Sequence, residues 1–122
     1  MEKDVLKSLL RFQFPSGVLE YFELVSVKQE GGKLLLQLDE FAVKPHEHKE
    51  KDLESKGFLP SVHLEDFPIR ELSVYLVVRR RKWIDKQTGK TYSNSFKLTA
   101  QGTSYTKEFG AFLKEVVGYY PG

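Results

Sequence analysis

Three histidines, His46, His48 and His63, are the side chains of this sequence best suited to holding a metal ion. On a strand, residues two apart point the same way, so His46 and His48 would offer two imidazoles to one ion. A stable zinc site takes three or four ligands with a supporting shell. The chain has no Cys to complete one, and His46-Glu47-His48 lies in a polar run that reads as a loop. No metal and no cofactor are therefore expected. Carboxylates such as Glu20, Glu23, Asp39, Glu40, Glu65 and Asp66 are numerous, yet none forms a spaced acid/base pair of the kind that catalysis requires. Ser93 and Ser95 have no neighbouring His to activate them. Gly31-Gly32 precedes no helix, so it is not a phosphate loop. No catalytic residue is expected, and nothing in the residues argues for an enzyme.

The cations form the sharper constellation. SVYLVVRRRKWIDKQTGK, from Ser73 to Lys90, passes from an apolar β-type stretch into Arg79, Arg80, Arg81 and Lys82, then the single Trp, Trp83. Between residues 79 and 100, seven cations (Arg79, Arg80, Arg81, Lys82, Lys86, Lys90 and Lys97) face one acid, Asp85, a local charge of +6. A net charge of +2 then leaves −4 for the remainder. Such asymmetry points to a nucleic-acid face. Alternation along a strand would send Arg79 and Arg81 one way and Arg80 and Lys82 the other. A ribbon of this kind can follow a phosphate backbone, with Trp83 stacking on a base or packing beneath. The competing reading is a solvated hairpin anchored in the core by Trp83.

The elements that would position these residues are legible from periodicity. Val5, Leu6, Leu9 and Leu10 predict a short helix over 3–13, and Ser16 a cap for a second turn carrying Val18, Leu19 and Phe22. Alternating runs from Glu23 and from Leu34, either side of Gly31-Gly32, predict a β-hairpin. Phe41 to Gly57 reads as a long exposed loop. A short strand follows over Phe58–Leu64, then a turn at Asp66-Phe67-Pro68-Ile69. Glu71 to Trp83 reads as the longest strand, central because both faces of its first half are apolar. The chain turns between Asp85 and Gly89 and returns over Lys90–Thr99. Thr106 caps an amphipathic helix with Phe109, Phe112, Leu113, Val116, Val117 and Tyr120 on one face.

At 122 residues, 40% of them apolar, the chain is expected to form a single α+β domain over 1–122. An antiparallel sheet of about five strands would carry the C-terminal helix on one face, with short N-terminal helices at an edge. No apolar run reaches the length of a membrane span and no signal-peptide block opens the sequence; a cytoplasmic protein with no membrane partner is expected.

GVLEYFELV (17–25), SKGFLPSVHLEDFPIR (55–70), VYLVVRRRKWIDKQTGK (74–90) and GTSYTKEFGAFLKEV (102–116) together resemble the N-terminal region of an insertion-sequence transposase of the ISAon type. The most specific pieces are the DFPIR turn, the RRRKW strand end and the T-K-E-F helix start. More distantly, the stretch from DFPIR to RRRKW is similar to a zinc-binding transposase domain in which a Cys stands where Trp83 stands here. With no Cys in the chain, the zinc knuckle does not carry over, and packing by Trp83 would take its place. The resemblance implies an accessory role in transposition, with the DDE carboxylates on a separate catalytic chain. It implies DNA binding at element ends through the basic hairpin or, alternatively, docking onto the DDE catalytic chain without contact to DNA.

Overall fold

The computed structural model describes residues 13–15, 17–94, 96 and 107–117. The helix expected over 3–13, the caps at Ser16 and Thr106, Lys97 and Tyr120 lie outside the described residues, apart from Gln13 at the end of that helix. The described elements are α1 (Val18–Tyr21), β1 (Phe22–Glu30), β2 (Lys33–Glu40), a 3-10 turn (His46–His48), β3 (Leu53–Phe58), β4 (Val62–Ile69), β5 (Leu72–Arg79), β6 (Arg81–Asp85), β7 (Thr91–Tyr92) and α2 (Lys107–Val117). This is the expected α+β class. The strands divide between a four-stranded sheet, ordered β1-β2-β5-β4, and a three-stranded sheet, ordered β3-β6-β7.

The hairpin around Gly31-Gly32 forms as expected, with Glu30 opposite Lys33. The positive φ of Gly31, 60°, is what its tight turn needs. β5 is central, antiparallel to β4 on one side and parallel to β2 on the other. Because opposite residues share a face, Leu34, Leu36 and Leu38 line up with Val74, Leu76 and Val78. On that face α2 lays Phe109, Phe112, Leu113 and Val116, and together they form the core. Its helical spacing of apolar residues is thereby explained: the stripe covers the sheet. The other face carries Tyr75 and Val77, which are half-buried rather than enclosed.

Aromatic contacts fasten the helix. Tyr21 stacks on Phe109 at 5.1 Å, and Phe22 meets Phe112 edge-on at 5.7 Å. Gly17 makes this approach possible. Its φ is 93°, and a Cβ there would stand 3.4 Å from Cγ of Phe109.

Three boundaries differ from expectation. Leu53–Gly57, read as loop, belongs with Phe58 to a strand paired with β6, so the strand expected over Phe58–Leu64 is interrupted after Phe58 and resumes only at Val62; the polar residues of Leu53–Phe58 and the irregularity between Ser55 and Phe58 break the alternation that would have marked it. Asp66-Phe67-Pro68-Ile69 lies within β4, and the turn falls on Arg70 and Glu71, with Arg70 at φ 58°. Pro68 is tolerated because β4 is an edge strand with an irregular register there. Finally, the long strand expected over Glu71–Trp83 is broken at Arg80, where the chain leaves one sheet for the other.

Candidate nucleic-acid interface

The break at Arg80 governs what the cations do. Arg79 ends β5 opposite Asp39, and their side chains form a two-pronged ion pair: Nε donates to Oδ1 at 2.8 Å and Nη2 to Oδ2 at 2.6 Å. Burial raises the carboxyl pKa of Asp39, but hydrogen bonds from Arg79 and Gln37 outweigh it and hold the carboxyl below its ordinary value. The same bond raises Arg79. The guanidinium of Arg79 also lies 4.0 Å from the centre of the Phe58 ring, and that of Arg81 4.5 Å from it. Arg79 and Arg81 therefore share one side, as alternation requires.

Arg81 is tied to Glu40. Its backbone N–H donates to Oε1 of Glu40 at 2.8 Å, its Nε to the Glu40 carbonyl at 3.0 Å, and its Nη1 to Oγ of Ser55 at 3.4 Å. Glu40 is 3% exposed. Burial pushes its carboxyl above the ordinary value despite the Arg81 amide and the nearby Arg80 charge. Arg80 takes the opposite side, with Nη1 3.3 Å from Oγ of Ser93. Burial lowers its pKa and Glu40 opposes the shift; a guanidinium stays cationic through such changes. The three arginines thus stitch the two sheets together, through partners contributed by β2, β3 and the segment after β7.

The lysines stand differently. Lys86 and Lys90 are exposed at the β6–β7 turn. Asp85 shapes that turn: its Oδ1 accepts the Gln87 N–H at 2.9 Å and its carbonyl the Gly89 N–H at 2.7 Å. Lys86 lies 3.8 Å from Asp52 in an exposed pair, a geometry worth little to stability. Lys82 projects from β6 on the side away from Trp83. Ser55 faces Trp83 and Phe58 faces Arg81, so Lys56 and Gly57 together oppose Lys82. Lys56, exposed on β3, therefore joins Lys82 at the same outer surface. Sequence reasoning missed it, because β3 was not legible as a strand and its pairing with β6 was therefore invisible.

Trp83 is 5% exposed, opposite Ser55 and Tyr92. Its indole packs beneath the surface, and its Nε1 has no hydrogen-bond partner among the described residues. The histidines are dispersed in other contacts. The ring of His48 is 4.7 Å from that of Tyr92, and Nε2 of His63 is 3.4 Å from Oγ of Ser61. Among the described residues no group of three or more His, Asp or Glu side chains is arranged to hold a metal, and no helix is long and apolar enough to cross a membrane. No protein-family model, curated protein or solved structure matches the chain.

Proposed function

We propose that this chain is a non-catalytic accessory module of a transposase, and that it binds DNA through the outer surface and turn of its three-stranded sheet. Lys56, Lys82, Lys86 and Lys90 would contact phosphates, and the DDE catalytic residues would reside on a separate chain. The observation that carries the reading is the pairing of β3 with β6, which adds Lys56 to a hairpin already bearing three lysines. Arg79, Arg80 and Arg81 are reassigned within it. They hold the sheet junction rigid, so that the lysines are presented on a fixed ribbon rather than a mobile loop. Trp83 anchors that ribbon from below.

Fluorescence anisotropy with a labelled mixed-sequence duplex provides the test. If all four lysines meet phosphates, the logarithm of the association constant should fall with the logarithm of salt with a slope of about −3.6. Raising salt from about 50 mM to about 200 mM would then cost about 10²-fold in affinity. Replacing Lys56 and Lys82 by Gln should flatten the slope by about half. Binding absent at low salt, or a slope unchanged by that double substitution, would overturn the proposal.

A further inference from the structure

The turn between β6 and β7 is pinned through its backbone. The Asp85 N–H donates to the Lys90 carbonyl at 2.9 Å and closes the loop Lys86-Gln87-Thr88-Gly89. The Lys86 N–H donates to the Asp52 carbonyl at 3.0 Å, and that of Gln87 to Oδ1 of the buried Asp85 at 2.9 Å. The Gly89 N–H reaches the Asp85 carbonyl at 2.7 Å, and that of Lys90 reaches Oγ1 of Thr88 at 3.2 Å. With these amides engaged, the turn is no backbone cradle for an anion; it offers side chains on a fixed frame. Residues 86–90 are all exposed. The carboxamide of Gln87, between Lys86 and Lys90 in the turn, has no partner among the described residues. Against Lys56, Lys82, Lys86 and Lys90 stand Asp52, 3.8 Å from Lys86, and the exposed Glu54, opposite Ile84. Lys56, Lys82 and Lys90 have no ion pair among the described residues, so positive charge keeps the majority.

The strands of this sheet carry three aromatic rings, Phe58, Trp83 and Tyr92, and all face away from Lys82. Trp83 is opposite Tyr92 and Phe58 is opposite Arg81, so alternation sets them on the side that Lys82 and Ile84 avoid. There Trp83 is buried, and the Tyr92 ring has His48 at 4.7 Å and the Lys51 ammonium at 5.1 Å. Phe58 lies against the guanidinia of Arg79 and Arg81. Single strands are held by bases stacking on open rings. The lysine surface presents none, and suits a duplex.

We infer that the β6–β7 turn enters the major groove of duplex DNA, where Gln87 reads an adenine and Lys86 and Lys90 meet the flanking phosphates. This rests on the DNA binding proposed above and names the reading element within it. The major groove, about 12 Å wide, admits a two-stranded ribbon; the undeformed minor groove, at about 6 Å, is too narrow. A carboxamide presents a donor beside an acceptor. Phosphate oxygens only accept, as do O6 and N7 of guanine, whereas N6 and N7 of adenine match both halves of the carboxamide.

Selection from a pool of duplexes with a randomised centre, followed by anisotropy on the selected duplex, tests this with the whole 122-residue chain. The parent chain should enrich adenine at one position. It should bind that duplex about fivefold or more tightly than the same duplex with G·C there. Gln87→Ala should abolish the discrimination while keeping the affinity for mixed-sequence duplex and its salt slope. Gln87→Glu should move the preference to cytosine, whose N4 only donates. A single strand of the same length should bind about tenfold more weakly than the duplex. Gln87 gives only its backbone to the turn, so neither replacement threatens the fold. Duplex binding without base preference, or a preference for adenine that survives either replacement, would overturn the inference and leave the lysine–phosphate contacts standing. So would a single strand bound as tightly as the duplex. No binding of any duplex at low salt would overturn both.

Discussion

Replacing Asp39 by Asn should lower stability by about 2 kcal/mol at neutral pH, most of it through the lost charge opposite Arg79. Two charge-assisted hydrogen bonds, at 2.8 and 2.6 Å, join these side chains, and such bonds are worth about 1.5–3 kcal/mol each when sheltered. Shelter is partial here: the Asp39 side chain is 11% exposed and that of Arg79 36%. Screening at Arg79 therefore takes the lower end of that range, and Asn keeps one acceptor for the guanidinium. At this chain length the loss corresponds to about 8 °C in melting temperature. Urea titration followed by the fluorescence of the buried Trp83 would measure it. A double-mutant cycle with Arg79→Ala isolates the pair, with an expected coupling of about 1 kcal/mol. The pH dependence supplies a second check. Because the folded pKa of Asp39 is depressed below its ordinary value of 3.8, its contribution is complete above that value and is lost as pH falls through the folded pKa. Asp39→Asn should erase that acid-side loss. A coupling below about 0.3 kcal/mol, or an unchanged acid profile, would refute the assignment of Arg79 as a junction residue.

Glu40→Gln should show the opposite slope. The folded pKa of Glu40 is raised above its ordinary value of 4.5, so the protonated form is favoured in the fold and that contribution is lost as pH rises through the folded pKa. The stability of the variant relative to the parent should therefore improve from acid towards neutral pH in parallel urea titrations. Gly17→Ala should cost about 1–2 kcal/mol, since a left-handed φ and the closeness of Phe109 combine; thermal melting reads it directly. Gly57→Ala, at φ 83° but with open space around it, should cost only about 1 kcal/mol. Leu36→Ala removes a fully buried side chain from the sheet–helix core and should cost about 2–5 kcal/mol by chemical denaturation.

Much of the fold was legible because its strongest periodicities coincide with its most buried faces. Leu34, Leu36 and Leu38 alternate because the other face of β2 is not covered by α2. Phe109, Phe112, Leu113 and Val116 recur with helical spacing because they meet that same sheet. What escaped was non-local. Nothing in LESKGF marks a strand until β6 is beside it, and the partition of SVYLVVRRRKW between two sheets depends on where Asp39 and Glu40 lie. The basic run was conspicuous, but a sequence does not display the carboxylates that meet it from forty residues away. Lys56 was hidden for the same reason.

The parallel pairing of β2 with β5 has a kinetic consequence. Hairpins β1–β2 and β4–β5 are local and can each close quickly, but Asp39 meets Arg79 across forty residues of chain. Bringing two preformed hairpins into parallel register is the step that bears the loop-closure entropy, and long-range strand pairing of this type slows folding. The Asp39–Arg79 bond sits at the far end of that register and would close after the pairing has begun. An interaction made after the barrier acts on the escape rate rather than on the arrival rate. Stopped-flow measurements on Asp39→Asn should then find refolding nearly unchanged and unfolding accelerated, which makes the arginine junction a latch that prolongs the lifetime of the folded chain.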